Sequence, residues 1–284
     1  MAKPTIANVA ELAGVSQATV SRALRGATNV TEETRIKVQR AADQLNFTLS
    51  KSASALASGK TMRVILLVSG KLNEWFNSGV LQGVYEELAP VGYDVTPAFI
   101  TDRSELDRFF SQLPKSRNAD AIIISSFQLM PAMRDQLQAI DLPTVGVNVP
   151  AESGYFDASI SIDNSSAMTM AVRLLRSLGH TNIAFCSDYI PADMVYNTSQ
   201  RTQAFADAAQ ANATDGITFS LLTADAHDAP LSKSDLASQL TAKLLSLPER
   251  PTAVCVETDQ VAIALVKELR KQQLKIGRAS CRER

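Results

Sequence analysis

Hydrophobic residues recur at helical spacing at the N-terminus of the chain. Ile6, Val9, Ala10 and Ala13 stand at positions i, i+3, i+4 and i+7, which places them on one face of an α-helix. Thr5 precedes them and can cap the helix through its hydroxyl group. The pattern therefore predicts a short amphipathic helix that begins directly after Thr5.

Two more helices are predicted close behind the first. Gly14 supplies the positive φ of a tight turn, and Ser16 can cap a second helix over about Gln17 to Leu24. Two short helices joined by a turn of three to four residues that contains glycine form a helix-turn-helix. A third helix is predicted to start at Thr31 and to close the bundle with apolar side chains, which are Ile36, Val38, Ala41, Ala42 and Leu45.

The second helix has an apolar side and a polar side. Val20 and Ala23 are predicted to point inward, while short polar groups and arginines point outward, as suits a helix that enters the major groove of DNA. Arg22 can bond guanine with two hydrogen bonds, and Gln17 can pair with adenine. Ala18 can contact a thymine methyl group, and Thr19 and Ser21 can bind phosphates.

The segment TIANVAELAGVSQATVSRALRG, with NVTEETRIKVQRAADQLNF after it, resembles the headpiece of the LacI/GalR regulators along its whole length. The run AGVSQATVSRAL carries most of this resemblance. It implies a homodimer that binds a near-palindromic operator in double-stranded DNA, with residues 1–46 as the headpiece. The alternative is that these helices only pack. The candidate DNA-binding residues are Thr5, Ser16, Gln17, Ala18, Thr19, Ser21, Arg22, Asn29, Ala53 and Leu56.

Ala53 and Leu56 lie in a segment, residues 47–60, that is rich in small and polar residues. Such a segment is a poor independent helix. The resemblance implies a hinge that folds when two copies meet over the minor groove, where Leu56 would wedge between base steps and Ala53 would face the groove. The family usually has Pro-Asn where this chain has Leu49-Ser50, and arginine at Ser54. A plain linker is the alternative.

From Arg63 onward, short apolar strands alternate with helices. The strands are RVILLVS, YDVTPAFI, DAIIISS, PTVGVNV, DASISID, TNIAFCS, ITFSLL and TAVCVET. Strands alternating with helices predict βαβ units and parallel sheets. Residues 61–275 are similar to an α/β two-lobed, periplasmic-binding-protein-like sensor with Rossmann-like sheets, behind an all-α headpiece. Helices are predicted over about 74–89, 104–113, 131–139, 164–177, 200–211, 234–247 and 260–273.

Ligands of open α/β sheets bind beyond the carboxyl ends of the strands. The candidate residues lie at such ends or in segments similar to the family's motifs, and Arg201 is the principal one because its guanidinium group can bind hydroxyls or a carboxylate. Two substitutions depart from the family, Ala204 for glycine and Thr258 for asparagine. The candidate effector-binding residues are Trp75, Phe76, Ser125, Asp163, Asn197, Arg201, Thr258 and Asp259.

Several of these positions have a structural alternative. Trp75 and Phe76 can stack on a sugar or pack on the surface, and Asp259 can bind the ligand or cap the next helix. His180 is expected to cap a helix end rather than to act as a catalyst. His227 is expected to be exposed to solvent rather than to reach the ligand.

Charge and composition add a limited amount to this picture. The net charge is −1, but residues 1–60 hold eight Lys/Arg against four Asp/Glu. A basic head suits a DNA-contacting module, although a random surface charge gives the same asymmetry. No apolar run is long enough for a bilayer, no signal-peptide pattern is present, and three cysteines are far apart. We expect no membrane partner and a cytoplasmic, nucleoid-associated protein.

Other function classes lack their sequence signatures. The chain has no Walker A motif, no G-x-G-x-x-G after a strand, no nucleophile elbow and no His/Cys cluster, so we expect no enzyme, cofactor or metal. A transport protein would need a signal peptide and no headpiece. The sequence predicts a regulator, and specifically a repressor, whose operator affinity is set by a small molecule. The resemblance implies a carbohydrate as that effector.

The last nine residues, IGRASCRER, show no apolar strand pattern. They resemble a sequencing adapter translated in frame. We therefore expect residues 276–284 to be non-native and the native protein to continue differently.

Overall fold

The structure is a computed structural model that describes residues 4–48, 60–116, 118–149, 156–189, 195–212, 216–226, 231–274 and 276–277. Ala53, Leu56 and His227 lie outside these ranges, so the predictions made for them stay predictions. Contacts between residues divide the chain into two compact units. One contains Met1–Val64, Tyr85–Val95 and Asn118–Asp120, and the other contains Ile65–Val84, Thr96–Arg117 and Ala121–Arg284.

Three short helices form the N-terminal bundle: α1 (Ile6–Ala13), α2 (Gln17–Leu24) and α3 (Glu32–Gln44). Thr5 caps α1 with a capping box, and Gly14 ends it with a φ of 67°. Val9, Val20 and Val38, one from each helix, are fully buried and pack in one cluster. The predicted helix-turn-helix and its third helix are confirmed.

Two details of α3 differ from the prediction. Thr31 is the N-cap rather than the first helical residue, and its hydroxyl oxygen accepts a hydrogen bond from the Thr34 N–H. Ile36 is 44% exposed, because Val38, Ala41 and Ala42 already fill the inward face of the helix. The apolar surface that closes the bundle therefore lies nearer the C-terminal half of α3 than the sequence pattern indicated.

The first sheet has five strands in the order β2-β1-β3-β4-β5. They are β1 (Arg63–Ser69), β2 (Asp94–Ile100), β3 (Ala121–Ser125), β4 (Thr144–Val147) and β5 (Ala158–Ile160). The β3–β4 and β4–β5 pairs are parallel. The inner part of β1, from Val64 to Val68, is buried throughout, as expected for a strand covered on both faces.

The second sheet has three strands in the order β7-β6-β8, and both pairs are parallel. They are β6 (Asn182–Ser187), β7 (Thr218–Thr223) and β8 (Ala253–Val256). Burial of β6 between two helical layers explains why five of its six residues are buried. All eight predicted strands are confirmed. The predicted parallel arrangement is confirmed for the β3–β4, β4–β5, β6–β7 and β6–β8 pairs.

In the described parts of the chain, seven helices connect these strands, and their ends agree with the predictions to within three residues. They are α4 (Trp75–Leu88), α5 (Arg103–Ser116), α6 (Pro131–Ala139), α7 (Asn164–Ser177), α8 (Ser199–Ala211), α9 (Lys233–Ser246) and α10 (Asp259–Lys271). The largest difference is at the end of α5, which was predicted to stop at residue 113, before Pro114, but continues to Ser116. Leu113 is buried at this point, so packing holds the last turn in place beyond the proline.

Sharp turns follow two strands of the first sheet. Ser126, after β3, has a φ of 74°, and Asn148, after β4, has a φ of 53°. This left-handed conformation is uncommon outside glycine, particularly for serine. The turns direct both side chains toward the edge of the sheet at which the parallel strands end.

Candidate functional site

Helix α2 presents a polar surface because its apolar residues are held inside the bundle. Val20 is fully buried and Ala23 is 5% exposed, whereas Gln17, Ala18 and Arg22 are exposed. The Ser16 hydroxyl oxygen caps the helix by accepting a hydrogen bond from the Thr19 N–H at 3.2 Å. The predicted inward and outward sides of α2 are confirmed.

Short polar side chains around α2 bond to one another. The Ser16 and Thr19 hydroxyl groups lie 2.9 Å apart, and the Arg25 guanidinium group donates to the Ser21 hydroxyl oxygen at 2.6 Å. Asn29 is exposed, whereas Thr5 is engaged with Asn8 in the cap of α1. A partner that used the Thr5, Ser16 or Ser21 hydroxyl groups would share or replace these contacts.

A cavity of about 600 Å³ lies in the second unit at the carboxyl ends of the strands. Its wall includes Ser69 at the end of β1, Ser126 after β3, and Asn148 after β4. The second sheet contributes Asp188 after β6 and Glu257 after β8. The cavity thus lies at the strand ends where the ligand is predicted to bind, and ligand binding at this place stays a prediction.

Five of the eight predicted effector residues line the cavity, and they are Trp75, Phe76, Arg201, Thr258 and Asp259. Trp75 is 62% exposed, and its indole Nε1–H donates to Asp259 Oδ1 at 3.2 Å. The Trp75 and Phe76 rings meet edge to face, with centroids 5.8 Å apart. An indole held by one hydrogen bond and open on one side can stack on a flat ligand surface.

Ser125, Asp163 and Asn197 are not in the wall of the cavity. Ser125 is fully buried, and the wall position belongs to the next residue, Ser126. Asp163 is instead the N-cap of α7, where its carboxylate accepts the Ser166 N–H at 2.9 Å and the Ser166 hydroxyl at 2.7 Å. These hydrogen bonds lower the pKa of Asp163.

Asn197 belongs to a buried chain of amide groups behind the cavity wall. Its side-chain N–H group donates to Asn148 Oδ1, and its own Oδ1 accepts from Asn164 Nδ2 at 2.9 Å. Asn148 then donates to the Ser126 hydroxyl oxygen at 3.3 Å. The chain thereby links residues that follow β3, β4 and β5, and Asn197 contacts the wall residue Asn148 rather than the cavity itself.

Arg201 is tied to the protein on two of its nitrogen atoms. Its Nε donates to Asn164 Oδ1 at 3.1 Å, and its Nη1 donates to the Glu257 carbonyl oxygen at 2.5 Å. A guanidinium group has five N–H donors, so the remaining ones are left for a ligand. Two of the three nitrogen atoms, Nε and Nη1, already bond to the wall. The guanidinium group is therefore less free to bind a ligand with two hydrogen bonds than the sequence predicted.

The start of α10 separates two roles that the sequence left open. Thr258 is the N-cap, and its hydroxyl oxygen accepts from the Val261 N–H at 3.4 Å. Asp259 is in the first turn of the helix and accepts the Trp75 indole N–H instead. The capping role belongs to Thr258, and the Asp259 carboxylate faces the cavity.

Glu257 is a wall residue that the sequence reasoning missed. It is only 7% exposed, its N–H extends the β6–β8 ladder to the Cys186 carbonyl, and its carboxylate accepts the Asp188 N–H at 3.0 Å. Burial raises the pKa of Glu257 to about 7, although the hydrogen bond from Asp188 opposes the shift. The sequence signal was a lone glutamate directly after an apolar strand.

One further prediction concerns a residue outside the cavity. The His180 backbone N–H donates to the Leu175 carbonyl at the end of α7, and its Nδ1 lies 3.0 Å from the Thr252 hydroxyl oxygen, which confirms a role at a helix end. Within the described ranges, no three His, Cys, Asp or Glu side chains are grouped to hold a metal ion. No helix in the described parts is long and apolar enough to cross a membrane.

The bundle and the sensor-like domain each match a known family. Residues 5–50 match the bacterial regulatory proteins of the lacI family, and residues 172–279 match the periplasmic binding protein-like domain. The HTH-type transcriptional repressor PurR of Vibrio cholerae serotype O1 (strain M66-2) is 30% identical over 275 residues, which cover 96% of this chain and 78% of PurR.

Solved structures show the same fold. The Lac repressor dimer bound to operator and the anti-inducer ONPF matches with a TM-score of 0.78 and 22% identity, over 97% of this chain and 80% of the repressor chain. The complex of the transcriptional regulator CelR with cellobiose matches with a TM-score of 0.58 and 24% identity, over 96% of this chain and 80% of CelR.

These parts together define a class of protein. A helix-turn-helix with an exposed polar face binds DNA, and a two-sheet α/β domain with a cavity binds a small molecule, as in a transcription regulator that senses its own ligand. The chain belongs to the lacI family of bacterial regulatory proteins. It is a sequence-specific DNA-binding transcriptional regulator with a ligand-binding sensor domain.

Proposed function

We propose that the protein is a repressor whose α2 reads an operator in the major groove and whose affinity for that operator is set by a small molecule. The observation that carries the proposal is the outward position of Gln17, Ala18 and Arg22 on a helix whose Val20 is fully buried. A helix held in this way presents its polar side to base edges without unfolding the bundle.

The proposed DNA contacts divide into two groups. Arg22, Gln17 and Ala18 read base edges, whereas the short hydroxyl and amide side chains bind phosphates and set the register. The phosphate group consists of Thr5, Ser16, Thr19, Ser21 and Asn29. Residues 1–46 form the headpiece, residues 47–60 with Ala53 and Leu56 form a hinge in the minor groove, and residues 61–275 form the sensor.

The proposed protein is a homodimer on a near-palindromic operator. Two headpieces related by a two-fold axis match two half-sites about one helical turn apart. The solved Lac repressor relative is a dimer bound to operator, which supports this assembly. Such a regulator works at the chromosome, so the proposal places it on the nucleoid of a bacterial cell.

The proposed effector is a carbohydrate bound in the cavity. The volume of about 600 Å³ falls in the range of small-molecule pockets, and an exposed indole beside hydrogen-bonding side chains suits a polyhydroxyl ligand. CelR, a solved relative, is in complex with cellobiose. The ligand would act by differential affinity for two states of the sensor, which shifts their populations and the operator affinity.

The proposal includes no catalytic step. PurR and the Lac repressor, to which the chain is similar, are transcriptional regulators. In the cavity wall, Trp75 donates a hydrogen bond to Asp259, and Arg201 donates one to the Glu257 carbonyl oxygen. Ligand binding alone is sufficient for the regulatory cycle that we propose.

The test compares two arginine variants on duplexes selected from a random pool by the wild-type protein. Arg22→Ala should lose about 1–3 kcal/mol of discrimination between selected and random duplex, as expected for one bidentate base contact. Arg173→Ala removes an exposed arginine from α7 and should leave DNA binding unchanged. Equal discrimination by wild type and Arg22→Ala would refute the assigned recognition face.

The sensor is tested with the same duplex and a panel of mono- and disaccharides. Arg201→Ala should bind the duplex normally and lose the response to sugar, because the variant releases Asn164 and the Glu257 carbonyl. A normal sugar response in Arg201→Ala would contradict the assigned site.

A further inference from the structure

The cavity wall carries an excess of negative charge. Among the described residues that line it, four are acidic, namely Glu74, Asp188, Glu257 and Asp259, and two are basic, namely Arg201 and Lys233. Arg201 is already engaged with Asn164 and with the Glu257 carbonyl. Both partners are neutral oxygen atoms, so Arg201 keeps its positive charge, and the acidic residues of the wall still outnumber the basic ones by four to two.

Glu257 occupies a particular place in this wall because it is the buried acidic group. Its carboxylate is fixed by the Asp188 N–H at 3.0 Å, and its backbone is fixed on one side by β6 and on the other by Arg201. The remaining charged groups that face it are the Asp188 carboxylate after β6, Arg201 on α8 and Lys233 on α9. The carboxylate is thus held by the residue after β6, and the backbone of Glu257 is held by β6 and α8.

The charge of a buried carboxylate in a cavity wall is weakly screened by water, so it affects ligands throughout the cavity. Clefts lined by one sign of charge focus the field and raise the local concentration of the opposite ion. A ligand that brings a phosphate or carboxylate group into this cavity would have to place it in a wall that holds twice as many acidic as basic residues. A hydroxyl group, by contrast, can donate a hydrogen bond to Glu257.

We propose that Glu257 is a specificity-determining residue that excludes anionic effectors, so that the effector of this regulator is an uncharged polyhydroxyl compound rather than a phosphorylated or acidic sugar. The inference rests on the proposed function, since it takes the cavity as the effector site. Glu257 accepts hydroxyl groups of the ligand, and the acidic wall around it sets the sign of the local potential.

The chain contains its own reporter for this potential. Trp75 is the single tryptophan in the sequence, lines the cavity and is 62% exposed. Its fluorescence can be quenched by caesium, which is a cation, and by iodide, which is an anion. The ratio of the two quenching constants, normalised to N-acetyltryptophanamide, measures the sign of the potential at the cavity without a known ligand.

The experiment uses the full chain at pH 8, because burial raises the pKa of Glu257 to about 7, and at low ionic strength, on the order of 10 mM, where screening is weak. In the wild type the normalised ratio of caesium to iodide quenching should exceed one. In Glu257→Gln it should fall by about twofold, because one charge within a few ångströms of the cavity is lost. Glu249→Gln removes the same charge from an exposed loop and should leave the ratio unchanged.

Three results would overturn the proposal. The first is a wild-type quenching ratio at or below one, and the second is a ratio that Glu257→Gln leaves unchanged. The third is a sugar 6-phosphate or uronic acid that shifts Trp75 fluorescence in the wild type at lower concentration than its neutral parent. The quenching arm needs no effector, so a protein that responds to no sugar would refute the proposed function without deciding this one.

Discussion

Glu257→Gln has a second consequence, for stability, that follows from the burial of the carboxylate. The pKa of Glu257 is raised from 4.5 to about 7 in the folded protein, chiefly by burial. Below pH 4.5 the folded and unfolded states both carry the proton. As the pH rises from 4.5 through 7, the unfolded state releases its proton first, so the free energy of unfolding falls.

The size of this effect follows from the shift. Each unit of pKa corresponds to 1.36 kcal/mol, so a shift from 4.5 to about 7 removes about 3 kcal/mol between pH 4.5 and pH 8. Glutamine has the same shape, cannot ionise and still accepts the Asp188 N–H. Glu257→Gln should therefore match the wild type near pH 4.5 and exceed its stability by about 3 kcal/mol at pH 8.

Urea unfolding at half-unit steps from pH 4.5 to pH 8, followed by circular dichroism, measures this difference. Subtracting one protein from the other cancels the groups that both contain, such as Asp120, in which burial raises the pKa but the hydrogen bonds from Thr61 and Met62 together outweigh it and lower the pKa. Glu249→Gln makes the same chemical change in an exposed loop and is the control. A wild-type-minus-Glu257→Gln difference that is flat over this range would refute the assigned burial of the carboxylate.

Two smaller predictions concern packing and capping. Gly146→Ala should destabilise the first sheet by about 1–3 kcal/mol, because a Cβ atom at this position would lie 2.7 Å from Val149 Cγ2 and 2.9 Å from Phe156 Cδ2. Thermal unfolding measures it, and Gly79→Ala, whose Cβ would meet nothing within 4 Å, is the matched control. Thr31→Ala should lower the stability of the N-terminal bundle by about 1 kcal/mol through loss of the α3 cap, whereas Thr31→Ser should retain it; equal melting of both variants would count against the cap.

The N-terminal bundle was predictable because its signals are local. Thr5, Ser16 and Gly14 mark helix ends within a few residues of the helices that they cap, and Val20 and Ala23 follow helical periodicity. The strands of the sensor were predictable for the same reason, since each is a short apolar run bounded by polar residues.

The composition of the cavity wall depended on the tertiary structure. Trp75 and Asp259 are 184 positions apart in the chain and meet only because two separate strand–helix units end at the same place. The wall position after β3 belongs to Ser126 rather than Ser125, because a left-handed turn decides which of two adjacent serines faces the cavity.

Periodicity and capping chemistry act over one or two turns of chain, so the sequence by itself determined the helix-turn-helix, the strands and the end of the sheets at which the cavity lies. The engagement of Arg201 by the wall, the place of Asn197 behind it and the burial of Glu257 were decided by contacts between distant segments. Charge and hydrogen bonding at a site depend on which groups are brought within a few ångströms of one another, and that proximity is a property of the folded chain.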